Sequence, residues 1–207
     1  MFDPVYFSTV RLAWQATLPG WAAAPELSYS RLLRVRLDDQ CWVDHCPGWL
    51  AASDELMADL ASSAAWQQRE RPMYDAVVTE PRLVTGWTHG LMPAPVDALR
   101  ASLSEHYSME LDSCHVNLYR NGADSVAWHG DTVRKVLRNP LVAIVSLGEP
   151  RRFLLRPRGG GSSRAFLLGG GDLLVMGGAA QHQWEHSVPK SRRDLGPRMS
   201  VTFRHSR

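Results

Sequence analysis

Two stretches of the chain carry apolar residues at helical spacing. Residues from about 53 to 67 place Leu56, Met57, Leu60 and Ala64 on one face behind Ser53, which predicts an amphipathic helix with Ser53 as its cap. A second follows Pro93-Ala94-Pro95, with Val96, Leu99, Leu103 and Tyr107 along one stripe. From residue 113 the period shortens. Strands are predicted over Cys114 to Tyr119, Leu141 to Leu147, Arg152 to Leu155, Ala165 to Leu168, Asp172 to Met176 and Met199 to Arg204. Asn121-Gly122, Glu149-Pro150, Gly159 to Gly161, Gly169 to Gly171 and Gly177-Gly178 supply the breaks. Helices first and many strands afterwards predict a mainly β, α+β domain: a jelly roll with helical support on its outside.

The glycine triplets are not phosphate loops. No Gly-Lys-Ser or Gly-Lys-Thr follows either one and no helix opens there, so hairpin turns are expected.

A chain of 207 residues can bury roughly 70% of its unfolded surface, enough for a single core without disulfides. Three scattered cysteines, 41, 46 and 114, point to a reducing compartment. Cys41, Asp44, His45 and Cys46 lack a second matched pair, so buried or idle thiols are expected rather than a zinc site. No apolar run reaches membrane-spanning length, and the N-terminus has no basic region leading into an apolar one. A cytoplasmic monomer is the expectation.

The net charge of +2 conceals an asymmetry: residues 1 to 133 sum to −8 and the remainder to +10. Arg134, Lys135 and Arg138, then Arg151, Arg152, Arg156, Arg158 and Arg164, then Lys190, Arg192 and Arg193 cluster in the positive part. Such clusters suit a polyanion, and they equally suit solvated faces balanced by the acidic half.

The chemistry concentrates in a few positions. His129-Gly130-Asp131 is followed 57 residues after His129 by His186. Two imidazoles and one carboxylate match the facial triad that holds a non-haem Fe(II) with coordination positions left open. Arg198 and Arg204 are six apart, so on a strand both point to one face with Ser200 and Thr202, while Met199, Val201 and Phe203 take the other. A guanidinium directed into a barrel calls for an anion, and its planar fork suits a carboxylate. A half-exposed edge strand would show the same alternation. Asn117 and Tyr119 alternate likewise with Val116 and Leu118.

Asn117-x-Tyr119, His129-x-Asp131, His186 and the Arg198/Arg204 pair occur in an order that resembles the AlkB family of Fe(II)- and 2-oxoglutarate-dependent dioxygenases. The resemblance covers about residues 80 to 205, and the first eighty residues carry no matching motif. It implies a double-stranded β-helix core over 111–207, with residues 1–110 forming an N-terminal extension, supporting helices and a flap over the substrate. It implies that His129, Asp131 and His186 bind Fe(II) and that Arg198 pairs with the distal carboxylate of 2-oxoglutarate. Asn117, Tyr119, Thr202 and Arg204 would complete the co-substrate pocket. Dioxygen would be consumed, with release of succinate, carbon dioxide and formaldehyde as an N-alkylated base in DNA or RNA is demethylated. Trp87 and His89, which follow the Pro81-Arg82 segment that in the resembling family leads into the flap, are the expected base-stacking residues, with Arg134 and Arg152 as further substrate contacts. Trp128 and Trp184 flank metal ligands and suit either stacking or packing against the barrel.

The sequence departs from the family at one place. Many members that repair methylated bases have acids directly after the iron-binding Asp, and here Thr132-Val133-Arg134-Lys135 follows, so a cationic base lacks that partner. The same residues also accommodate a hydroxylase of this fold acting on a protein or small molecule, or a nucleic-acid-binding module with a vestigial metal site.

Overall fold

Strands that bury both faces set the architecture. In the computed structural model, which describes residues 25–73, 76–131 and 139–205, the elements run β1 (Leu33–Arg36), β2 (Cys41–Cys46), α1 (Ser53–Ser63), β3 (Gln67–Met73), β4 (Ala76–Thr88), α2 (Ala94–Tyr107), β5 (Ser113–Tyr119), β6 (Val126–His129), β7 (Val142–Gly148), β8 (Arg151–Pro157), β9 (Arg164–Leu168), β10 (Leu173–Gly178), α3 (Ala180–Gln183), β11 (Trp184–Val188) and β12 (Arg198–Arg204). Arg134 lies outside the described residues. Among the described residues, β1-β2-β10-β7-β12-β5-β4-β3 form the major sheet and β6-β11-β8-β9 the minor one, antiparallel throughout.

Period-two alternation divides the interior into two cores. On β7, Ala143, Val145 and Leu147 face outward onto a cluster with Leu56 and Leu60 of α1 and Leu99 and Leu103 of α2, whereas Val142 and Ile144 face the minor sheet with Phe153 and Leu155. β10 repeats the division with Leu173 and Val175 against Leu174 and Met176. β12 differs in a way that matters. Met199, Val201 and Phe203 join the helix-side core, but the inward face carries Arg198, Ser200, Thr202 and Arg204. Burying those three apolar side chains contributes about 5–8 kcal/mol and holds the strand in register. A one-residue slip would exchange the polar and apolar faces.

Four of the eight strands of the major sheet, β1 to β4, precede residue 110, so this part of the chain supplies sheet as well as helices. Strands were not predicted there because the segments Leu33–Arg36 and Gln67–Met73 are rich in charged and polar residues, and β4 contains Pro81 and Gly86. The short β6 and β11 were also unpredicted. Helix α1 begins one residue earlier than a Ser53 cap requires: Ala52 is the N-cap, with no side-chain cap bond, and Ser53 is a buried first-turn residue. Gly159 to Gly161 turn the β8–β9 hairpin as expected. Gly169 to Gly171 do not. They carry the chain from the minor sheet to the major one, where Gly171 N–H donates to the Ser146 carbonyl and an added Cβ would strike the Leu50 carbonyl. Cys41, Cys46 and Cys114 are free and buried, while Asp44 is occupied by a bidentate Arg34 pair (2.7 and 2.8 Å) and by Tyr107 (3.0 Å).

Arg151, counted above among the basic clusters, is a buried clamp. Its guanidinium donates to the carbonyls of Asn121, Asp124 and Pro189 at 2.8–3.0 Å. It thereby ties the loop entering β6 to the chain leaving β11. Arg151→Met removes these donors and strands buried carbonyls, so urea unfolding should show a loss of about 3 kcal/mol; a change below about 0.5 kcal/mol would contradict the clamp.

Candidate active site

β6 and β11 are neighbours, and their pairing sets His129 directly opposite His186. The two rings lie 4.3 Å apart between centroids. Asp131, just beyond the end of β6, turns back so that one donor atom from each of the three residues lies within 4.8 Å of the others. Among the described residues this is the one grouping of metal-donor side chains. The His186 Nε2 to Asp131 Oδ2 separation of 3.6 Å is too long for a hydrogen bond, and Oδ2 is buried with no hydrogen-bond partner. A cation between the donors would satisfy it.

The surroundings prepare each ligand. His129 Nδ1 lies 2.9 Å from the Ala127 carbonyl, which fixes Nδ1 as the protonated nitrogen and leaves the Nε2 lone pair free. His186 stacks on Phe153 at 5.2 Å and is buried. Burial pushes its pKa down to about 4, against the opposing pull of Asp131 and with smaller help from His129 and Arg204, so the imidazole is neutral and able to ligate at physiological pH. Asp131 Oδ1 forms an ion pair with Arg204 Nη1 at 3.0 Å, and the Asp131 backbone N–H donates to Gln181 Oε1 at 3.3 Å. Gly130 lies beneath the Arg158 guanidinium, which donates to the Gln181 carbonyl at 3.1 Å; a Cβ there would displace it.

The three donors open into a cavity of about 840 Å³. Asn117, Tyr119, Arg198, Thr202 and Arg204 all line it. Arg198 sits at its floor, 1% exposed, with Nε donating to Ser146 Oγ at 3.2 Å and its guanidinium carbon 5.3 Å from the centre of the Tyr119 ring. Its Nη1 is buried without a partner. Leaving a charged donor unpaired out of water costs several kcal/mol, so this group fits an anion. Arg204 differs from Arg198: it braces the carboxylate of Asp131.

Trp87, His89 and Arg152, expected at the substrate, do not line the cavity. β4 directs its even-numbered residues Val78, Glu80, Arg82 and Val84 toward the cavity, so Trp87 falls on the opposite face and packs on the helix-side core. His89 is exposed beyond the end of β4 and does not line the cavity. Arg152 is exposed on the outer face of β8, beside the exposed Leu167 of β9. Trp184 is structural, its Nε1 donating to Asp38 Oδ2 at 2.6 Å, whereas Trp128 lines the cavity beneath Arg156, 4.1 Å away. Cavity residues not anticipated include Arg69, Glu80, Arg82, His115 and His205. For Glu80 and Arg82, counting parity back from Val84 would have found them.

The family model of the 2OG-Fe(II) oxygenase superfamily matches residues 20–204. The chain belongs to this superfamily. Its curated relatives include AlkB homologues: it is 32% identical over 185 residues to alpha-ketoglutarate-dependent dioxygenase alkB homolog 3 of Bos taurus, covering 77% of this chain and 64% of that protein. It is also 32% identical over 116 residues to DNA oxidative demethylase ALKBH2 of Arabidopsis thaliana, covering 45% and 37%. The chain thus spans less than two thirds of the length of these relatives. Among solved structures, that titled "The structure of OsALKBH1" matches with a TM-score of 0.58 at 15% identity, over 84% of this chain and all of the other. A prolyl hydroxylase from Trichoplax adhaerens matches at 0.58 and 14% identity, over 78% and 82%. Both likenesses concern the fold. Superfamily membership implies Fe(II), 2-oxoglutarate and dioxygen. The residues fit the first two: a two-imidazole, one-carboxylate donor set with an unsatisfied oxygen, and a buried guanidinium with a free N–H in the same cavity.

A depressed pKa at His186 has a measurable consequence in the metal-free protein. The unfolded chain takes up this proton near pH 6.5 and the folded one only near pH 4, so stability is complete above about 6.5 and falls as pH drops toward 4, by roughly 3 kcal/mol from this group. Urea unfolding of wild type and His186→Asn across that range checks it. The fall should be shallower in the variant, and parallel curves would contradict the assignment.

Proposed function

We propose that this chain is an Fe(II)/2-oxoglutarate-dependent dioxygenase that oxidatively demethylates N-alkylated bases in DNA or RNA. The observation that carries the reading is the placement, within one cavity, of the three-donor cluster and of the buried Arg198 guanidinium with its unpartnered Nη1. Bound iron and 2-oxoglutarate supply the activation of dioxygen, with succinate and carbon dioxide as products and formaldehyde leaving from the alkyl group.

The protein's own contribution is orientation, charge balance and exclusion of water. His129, Asp131 and His186 are the residues that would hold the metal. Arg198, with Tyr119 against it, would take the distal carboxylate of 2-oxoglutarate, and Arg204, ion-paired with Asp131, holds the aspartate carboxylate in its orientation. Ile144, Phe153 and Val188 line the cavity beside these polar groups and limit the water that can reach the reacting centre. At the rim, Arg69 is exposed and lines the same cavity, which suits a phosphate of the substrate backbone. The Arabidopsis relative's name, a DNA oxidative demethylase, supports the choice of a nucleic acid.

Mass spectrometry of oligonucleotides bearing 1-methyladenine or 3-methylcytosine, incubated with Fe(II) and 2-oxoglutarate in air, should show loss of the methyl group with stoichiometric succinate. Succinate formation with the oligonucleotides unchanged would contradict the nucleobase assignment and favour a protein or small-molecule substrate. Arg198→Leu should raise the KM for 2-oxoglutarate about tenfold or more, the equivalent of a lost charge-assisted hydrogen bond of ~1.5–3 kcal/mol. An unchanged KM would remove Arg198 from the co-substrate site.

A further inference from the structure

The charges lining the cavity are unequal. Among the described residues it carries four guanidinium groups, Arg69, Arg82, Arg198 and Arg204, and only two carboxylates, Glu80 and Asp131. Asp131 is committed to the metal and to Arg204. No acid occurs between Thr132 and Arg138 either, where the charged residues are Arg134, Lys135 and Arg138. Among the described residues, Glu80 is therefore the one cavity-lining carboxylate left for a substrate.

Its setting is built rather than incidental. Glu80 and Arg82 lie two apart on the cavity face of β4 and form a 2.9 Å ion pair, with side chains only 17% and 16% exposed. Arg82 is anchored from the floor, its Nε donating to Asn117 Oδ1 at 3.0 Å, and Asn117 in turn donates to Ser200 Oγ at 3.4 Å. The Ser125 N–H donates to the Pro81 carbonyl at 3.0 Å, pinning this point of β4 to the chain entering β6. Despite the close guanidinium, Glu80 Oε2 is buried and receives no hydrogen bond. The carboxylate is thus held in place beside the guanidinium, with acceptor capacity at Oε2 that no hydrogen bond takes up.

Glu80 and Arg82 line the same cavity of about 840 Å³ as Trp128, His129 and Asp131, a volume that can take a planar base. An alkylated adenine or cytosine ring carries a positive charge and an exocyclic amino donor; an alkylated thymine carries neither. We infer that Glu80 is the specificity-determining residue for cationic N-alkylated bases, accepting a hydrogen bond from the exocyclic amine and offsetting the charge of the ring. The inference rests on the nucleobase reading proposed above. Arg82 is a positioning residue in this arrangement, holding Glu80 and linking it to the co-substrate floor.

The test compares kcat/KM for single-stranded oligonucleotides that differ only in carrying 3-methylcytosine or 3-methylthymine, together with their binding measured by fluorescence anisotropy. Glu80→Gln should lower the 3-methylcytosine to 3-methylthymine ratio about tenfold or more, in turnover and in binding alike. Glu80→Asp keeps the charge and should lose less than about threefold. A Glu80→Gln ratio within about twofold of wild type, or an equal loss in both variants, overturns the inference while leaving the demethylase reading intact. A wild-type protein that turns over neither oligonucleotide overturns both.

Discussion

The antiparallel register between β6 and β11 is the constraint on which the chemistry of this molecule depends. It sets His186 across from His129, and Asp131 closes the group because it follows β6 by two residues. Several polar contacts hold this register. Arg151 joins the two ends of the strand pair, Arg156 pairs with Glu185 one residue before the distal ligand, and Trp184 is tied to Asp38 at the start of β11. None of these residues touches the cavity's reactive centre, yet each limits how far a ligand can stray. Donors that are close but not hydrogen-bonded to one another, with Asp131 Oδ2 left unsatisfied, are the mark of a preorganised cation site.

The second constraint is the division of β12 into an apolar outer face and a polar inner one. Met199, Val201 and Phe203 anchor the strand against the helices, and this apolar burial offsets the cost of holding Arg198 away from water. The result is a floor with one guanidinium paired to the metal-ligand carboxylate and another with a donor to spare. Two arginines that look equivalent in sequence thus occupy different electrostatic roles.

Much of this was legible in the sequence where chemistry and period reinforce each other. Residues His129, Asp131, His186, Arg198 and Arg204 carry unusual side chains in a recognisable order, and the even spacing of the arginines assigned their common face. Legibility failed where the signal was tertiary. The polar edge strand Gln67–Met73 has no apolar period of its own and exists because β4 pairs with it. Trp87 looked like a base-stacking residue because it is large and follows Pro81-Arg82, but a single step of parity puts it on the helix-side core. Arg151 and Arg152 are adjacent and chemically alike, and only the fold distinguishes a buried clamp from a solvated side chain.

The central claim is that one ferrous ion and one molecule of 2-oxoglutarate share the cavity between the three donors and Arg198. Anaerobic titration of the purified chain with Fe(II) and 2-oxoglutarate reads this directly through the visible charge-transfer absorption of a ferrous 2-oxoacid chelate. The absorption should saturate at one iron per chain and be absent in His186→Ala. Absorption that never develops in the wild type, or that survives unchanged in His186→Ala, would contradict the account.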